Sequence, residues 1–326
     1  MLLLGLAIVV ILVAQEGLGR VLAALRLAGC NILWVAAYRF VPMAIDAAGW
    51  YYQIASRQVP PLVKFIFYRW VAESFNTLLP AAQVGGHMVR ALMLARHSVA
   101  RTLAGASVVV DFILGLGTQF LFVVLGILLL LFETSQQLNT ALLASAVSGL
   151  LMFGGFVLVQ HLGFAGILNS IARRFWKNKK LPEWLCGVQQ METEMGRLYA
   201  DYRRMCVCAL LRLLGWIFKS GETYLALLFL GASPTITDAL ILEAMCIAAN
   251  SLGFLLPGAL GVREGGILAI GGLLGFPAET ALALALIKRA RELLVGLPGL
   301  GALLVFQKDL LSRRQALRER VPGSLD

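Results

Sequence analysis

Runs of about twenty or more apolar residues recur along nearly the whole chain, and no polar stretch between them is long enough to fold as a separate domain. A water-soluble globule of 326 residues could not bury so much apolar surface. Hydrophobic residues make up 59% of the sequence and charged ones 14%, against roughly 45–50% and 25% in soluble domains. The mean hydropathy is +0.81. Lipid is therefore the expected solvent. The expected fold is all-α, a polytopic helical membrane protein of about six to eight helices forming one transmembrane domain over residues 1–326. A secreted disulfide scaffold, a disordered tail and a soluble enzyme on a single anchor are excluded.

The net charge of +10 would point to nucleic acid in a soluble protein, but here the bases must first be placed relative to a bilayer. Seventeen of the 28 Lys and Arg residues fall in three stretches: Arg90, Arg96 and Arg101; nine from Arg173 to Arg212; and five from Lys308 to Arg320. The excess of positive charge inside predicts that the 87–101 loop, the 165–212 segment and the 307–326 tail are cytoplasmic, with 132–138 and 231–238 outside. No nucleic acid is expected as a partner. The 165–212 segment also carries Trp176, Trp184, Tyr199 and Tyr202, which suits an amphipathic helix on an anionic leaflet.

Residues 1–14 are apolar but short, and with no basic stretch ahead of them they fit neither a signal peptide nor a full span well. They read as a shortened first span. Further spans are expected at 32–54, 62–85, 103–131, 139–160, 206–230, 239–257, 258–276 and 278–306, with 68–86 and 250–266 as candidates for re-entrant segments. The five cysteines have no CxxC spacing, and His87, His97 and His161 are scattered, so no metal or redox centre is expected. The cysteines read as small apolar fillers.

Two interrupted segments concentrate the polar residues. The first holds Arg69, Glu73, Asn76, Pro80, Gln83, Gly85 and Gly86, followed by Arg90. Arg69, Glu73, Asn76 and Pro80 are spaced to share one helical stripe, so that Arg69 and Glu73 could neutralise each other. Pro80 removes a backbone donor, and the glycine pair can present bare backbone to a ligand. The second holds Glu243, Asn250, Pro257, Gly258, Gly261, Arg263, Glu264, Gly265 and Gly266. The order of parts repeats: an acid, an Asn, Leu-Leu-Pro, then a glycine-rich turn with a nearby Arg. The Asn-to-Pro spacing does not, being four in one and seven in the other.

Two such segments in comparable positions of two halves are the sequence pointer to a transporter's midplane site. The plainer alternative is that Pro and Gly are common in membrane helices and that Asn or Glu only bridge neighbours. Ionisable groups at depth weigh against it. Arg39 and Asp46, Lys219 and Glu222, and Lys288, Arg289, Arg291 and Glu292 also lie within apolar segments. Asp111 has no partner nearby in sequence and should pair with Arg39, Arg69 or Arg291. There is no Walker A, HExxH or GxSxG sequence and no carboxylate pair at a defined spacing, so no ATP hydrolysis, enzymatic activity or cofactor is expected.

The runs from Glu73 to Gly86 and from Pro257 to Gly266, with Arg90 and Asp111, resemble the lysylphosphatidylglycerol synthase transmembrane region, or flippase-like, family. The resemblance covers nearly the whole chain. Residues Pro80 to Gly86 and Lys288 to Gly299 look most like its subgroup associated with bacterial hopanoid biosynthesis. It implies a bacterial inner-membrane protein with its C-terminus in the cytoplasm that moves a lipid between leaflets or presents it to another enzyme. The soluble aminoacyl transfer domain of the synthases should be missing.

The expected substrate site is lined by Glu73, Asn76, Pro80, Gln83, Gly85 and Gly86 from one segment and Asn250, Pro257, Gly258, Gly261 and Glu264 from the other. Arg90, Asp111 and Arg291 are expected as head-group or gating charges. The expected partners are a hopanoid or phospholipid substrate, the bilayer, and a second copy of the chain or a biosynthetic enzyme. The rival readings are an enzyme or accessory subunit of hopanoid or phospholipid biosynthesis, and a scaffold recruiting partners through 165–212.

Overall fold

The computed structural model describes Arg26 and residues 28–54, 59–78, 85–97, 99–134, 183–252 and 262–320. Every regular element among them is helical. A short 3-10 turn, Gly29–Asn31, leads into α1 (Ile32–Tyr38) and α2 (Phe40–Gln53). These are followed by α3 (Leu62–Leu78), α4 (Gly85–Ala95), α5 (Arg101–Thr134), α6 (Glu183–Ala200) and α7 (Tyr202–Phe229). The last three are α8 (Ile236–Leu252), α9 (Val262–Leu273) and α10 (Ala278–Arg320).

Two stretches, Gly29–Gln53 and Arg101–Glu133, are long and apolar enough to cross a membrane. Helix α7 has the length, 28 residues or about 42 Å, but carries Arg203, Arg204, Arg212, Lys219 and Glu222. The expected span at 139–160 and the short first one lie outside the described residues.

Both segments expected to be interrupted are helical pairs. Helix α3 has 17 residues and α4 has 11, so α4 reaches about 17 Å and is too short to cross the hydrocarbon alone. The two run antiparallel: Asn76 meets Gly86, while Tyr68 and Lys64 meet His97 at the other end. Helices α8 and α9, of 17 and 12 residues, pair likewise, Gly266 lying against Ala249 and Leu274 sharing a cluster with Ile241. Each pair is followed by a long helix, α5 or α10, of 34 and 43 residues. The element lengths thus repeat although the spacing of Asn to Pro does not.

The core is built where these parts meet. Trp50 of α2 packs edge-on against Phe65 of α3, in one cluster with Tyr68, Met93, Val99, Ala104 and Leu303. Leu227, Leu230, Leu242, Ile267 and Leu284 form another, joining α7 to the second helical pair and α10. Gly299, just past Pro298 in α10, faces Ser74, and a Cβ there would collide with the Ser74 hydroxyl. Small residues at such a crossing let helix backbones approach. Trp70 Nε1 donates to the Val295 carbonyl at 2.9 Å at the same crossing.

Three structural ends lie together. Leu303 sits among residues of the α4–α5 junction, and Met191 of α6 lies against Gly105 of α5. The part of α10 around Leu303, the junction near Arg101 and helix α6 are therefore at one end of the bundle. One detail differs. The segment 87–101 is not a loop, because α4 occupies most of it, and Arg90 is buried at 2% exposure.

Candidate functional site

The centre of the site is made by two acids. Asp46 is carried inward by α2, whose buried face also bears Met43, Ala47, Trp50 and Gln53. Asp111 sits at 1% exposure on α5. Carboxylates so buried need cations and donors to replace water. Arg69 supplies both: Nη2 is 3.1 Å from Asp46 Oδ2 and Nη1 is 3.3 Å from Asp111 Oδ2. Arg212 also bridges them, with Nη1 3.2 Å from Asp46 Oδ1 and Nε 3.3 Å from Asp111 Oδ1. Arg90 Nη1 lies 2.5 Å from Asp111 Oδ2, and Lys219 Nζ 3.6 Å from Asp46 Oδ2.

The surrounding residues hold these cations in place. The Arg90 guanidinium lies over the Trp50 ring, 4.9 Å from its centroid, and donates to the Val108 carbonyl at 3.3 Å. Trp50 Nε1 in turn donates to Ser107 Oγ at 3.2 Å. Lys219 caps the face of Trp216 at 3.6 Å. Two glycines make room. A Cβ at Gly215 would collide with the Asp46 carboxylate, and one at Gly115 with the Arg212 guanidinium.

A second set of pairs adjoins the first. Arg39 Nε donates to Glu73 Oε1 at 2.9 Å, and Arg39 Nη1 is 3.5 Å from Glu222 Oε2. Glu222 Oε1 accepts from Arg291 Nε at 2.8 Å. Glu73, Arg69 and the α4 contact lie on one helix, so both sets are tied to α3. Glu73, at 29% side-chain exposure, is the most open member; Arg39, Arg69 and Lys219 follow at 12% each. Beside Arg39 and one turn from Glu222, Trp34, Ala37, Tyr38, Leu225 and Phe229 line an open apolar recess of about 400 Å³.

The second helical pair carries its own ions. Glu243 accepts from Thr223 Oγ1 at 2.7 Å and pairs with Lys288. Arg289 contacts Glu264 and Glu292, both at 3.0 Å. A register relation links this set to the first. Arg69 is the eighth residue of α3 and reaches Asp111, the eleventh of α5. Glu243 is the eighth residue of α8 and pairs with Lys288, the eleventh of α10. The two halves use the same register with the charges reversed. Asn76 and Asn250 both stand fifteenth in their helices.

The expected site residues divide accordingly. Glu73, Arg90, Asp111 and Arg291 meet in the buried network. Asn76 Oδ1 accepts from the Gly86 amide at 2.7 Å, satisfying a donor in the first turn of α4, which begins at Gly85. A Cβ at Gly86 would collide with the Ala72 carbonyl, so that glycine serves the close approach of α4 to α3. Glu264 pairs with Arg289. Asn250 lies in the last turn of α8, and Pro80, Gln83, Pro257, Gly258 and Gly261 lie outside the described residues.

One pairing and one placement differ from expectation. Arg69 and Glu73 do not neutralise each other, because Arg69 turns to Asp46 and Asp111 while Glu73 turns to Arg39. Asp111 finds Arg69, as expected, and also meets Arg90 and Arg212. Arg212, counted among the cytoplasmic bases, is buried at the centre. Its flanks, Leu210-Leu211 and Leu213-Leu214, were the available signal, since a lone Arg in a leucine run belongs to the interior.

The family model described as the lysylphosphatidylglycerol synthase TM region matches residues 1–299, and the chain belongs to that family. The family is a membrane domain associated with lipid-related functions, and the helices and two apolar spans among the described residues agree with it. No curated protein and no solved structure matches the chain.

Proposed function

We propose that this member of the lysylphosphatidylglycerol synthase TM-region family is a lipid translocase, or a protein that presents lipid to another enzyme, rather than a catalyst. Its place would be the bacterial cytoplasmic membrane, its C-terminus cytoplasmic, its role linked to hopanoid or phospholipid metabolism. The observation that carries the reading is the buried network around Asp46 and Asp111, tied to a helical pair whose second member, α4, is too short to span. Ionisable groups inside a membrane bundle are costly and mark pathways for polar substrates. The apolar recess beside Arg39 supports an amphiphile over a hydrophilic solute, because a chain could lie there with its head toward the charges.

With no nucleotide-binding motif in the sequence, movement is downhill or coupled to an ion. The test uses purified protein in liposomes carrying a fluorescent phospholipid or hopanoid, with an outer-leaflet quencher. Leaflet exchange should exceed that of empty liposomes and fall to near background in the Asp111→Asn variant. Equal exchange in wild type, variant and empty liposomes would sink the translocase reading. A deletion strain separates it from a biosynthetic role: normal lipid amounts in the wrong leaflet support movement, whereas altered amounts favour biosynthesis.

A further inference from the structure

We infer that the network selects a lipid whose head is a phosphomonoester, carrying two negative charges and no compensating amine. The inference rests on the reading above and names the substrate class of the same site.

The charges do not balance. Among the described residues six cations, Arg39, Arg69, Arg90, Arg212, Lys219 and Arg291, face four carboxylates, Asp46, Glu73, Asp111 and Glu222, within one contiguous set of contacts. The surplus is local. Glu73 and Glu222 match Arg39 and Arg291, so two positive charges remain at the Asp46 and Asp111 centre, where four cations meet two acids. An uncompensated charge at such burial is unstable without a counterion.

The donors have capacity left as well. Arg90 Nε is buried and has no hydrogen-bond acceptor among the described residues. Guanidinium groups offer several N–H donors in a fixed fork that matches phosphate oxygens, and a buried arginine cluster favours such a group over a hydroxyl. A dianionic phosphate would neutralise the surplus. A zwitterionic head would bring an amine that meets four cations there, and an alcohol would leave both charges unmatched.

The route in follows exposure. Glu73 is the most open member and Arg39, Arg69 and Lys219 come next, while Arg90 and Arg212 lie deeper. A head passing Glu73 meets cations of increasing burial. The apolar recess is lined by Tyr38, the neighbour of Arg39 in sequence, and by Leu225, one turn from Glu222.

The experiment is ligand binding to the purified full chain in detergent. The probes are dioctanoyl phosphatidic acid, dioctanoyl phosphatidylcholine, dioctanoylglycerol and inorganic phosphate. Phosphatidic acid should bind at least about tenfold more tightly than the other two amphiphiles, and inorganic phosphate should compete weakly. The Arg69→Gln variant should lose most of that preference, Arg69→Lys should retain part of it, and Lys179→Ala should be unchanged. Because Arg69→Gln could fail to fold, melting is measured alongside, and the Arg69→Lys and wild-type profiles carry the test if it does.

Equal affinity for the three amphiphiles would overturn the inference. So would inorganic phosphate binding as tightly as phosphatidic acid, which would make this an ion site and not a lipid site. Phosphate selectivity without leaflet exchange leaves the head-group inference standing and removes the translocase reading. Leaflet exchange without phosphate selectivity does the opposite.

Discussion

Asp111 draws three arginines from three helices, α3, α4 and α7, onto one carboxylate. At that burial, loss of its charge strands cations that cannot reach water, so Asp111→Leu should destabilise the fold by about 3–5 kcal/mol. Unfolding in a mild detergent monitored by circular dichroism measures it, and a change under about 1 kcal/mol would mean that water reaches the centre. Gly215 and Gly115 matter for a different reason. An alanine at either would press its methyl into Asp46 or Arg212, and overpacking of this kind costs about 1–3 kcal/mol. Gly265, with open space at its Cβ position, is the control and should tolerate alanine in the same assay. At this scale the sequence was informative about identity but not about pairing. Arg39, Asp46, Arg69 and Asp111 stand out as charges in apolar runs, yet which meets which depends on helix rotation and crossing, and helical spacing alone favoured the unused Arg69 to Glu73 pair. Arg212 was hidden by the basic segment before it.

The helical pairs were legible because Pro80 and the Gly85-Gly86 pair interrupt one apolar run, and Pro257-Gly258 the other. What could not be read was how they close. Asn76 reaches across to the Gly86 amide, a bond between residues ten apart whose geometry exists only once α4 folds back on α3. Asn76→Ala should therefore loosen the first turn of α4 at a cost of about 1 kcal/mol. Amide hydrogen exchange at residues 85–89 checks it, with faster exchange there and unchanged protection in α5 as the expected result. Uniform protection across α4 would show that the cap is not needed. The shared register of Arg69 with Asp111 and Glu243 with Lys288 also emerges only at this scale, because the sequence repeat is blurred by the Asn-to-Pro spacing and by the reversal of sign.

For the whole molecule, apolar composition pointed to a membrane and to the all-helical class found among the described residues, and the clustered bases anticipated that the α4–α5 junction and α6 share one end. Among the described residues Gly29–Gln53 and Arg101–Glu133 are the helices long and apolar enough to be plain spans, and they carry the two central acids, Asp46 and Asp111. The acids of the centre sit on these two helices and its cations on α3, α4 and α7, so the charged groups face one another inside the bundle. The central claim is that these ions serve lipid movement and not the fold alone, and Glu73 tests it most directly. It is the most open member of the network, and its partner Arg39 keeps Glu222 when the charge is removed. The measurement is leaflet exchange in proteoliposomes of Glu73→Gln, prepared from protein whose melting temperature lies within a few degrees of wild type. The account predicts exchange reduced at least about tenfold in that folded protein; exchange at the wild-type rate would contradict it.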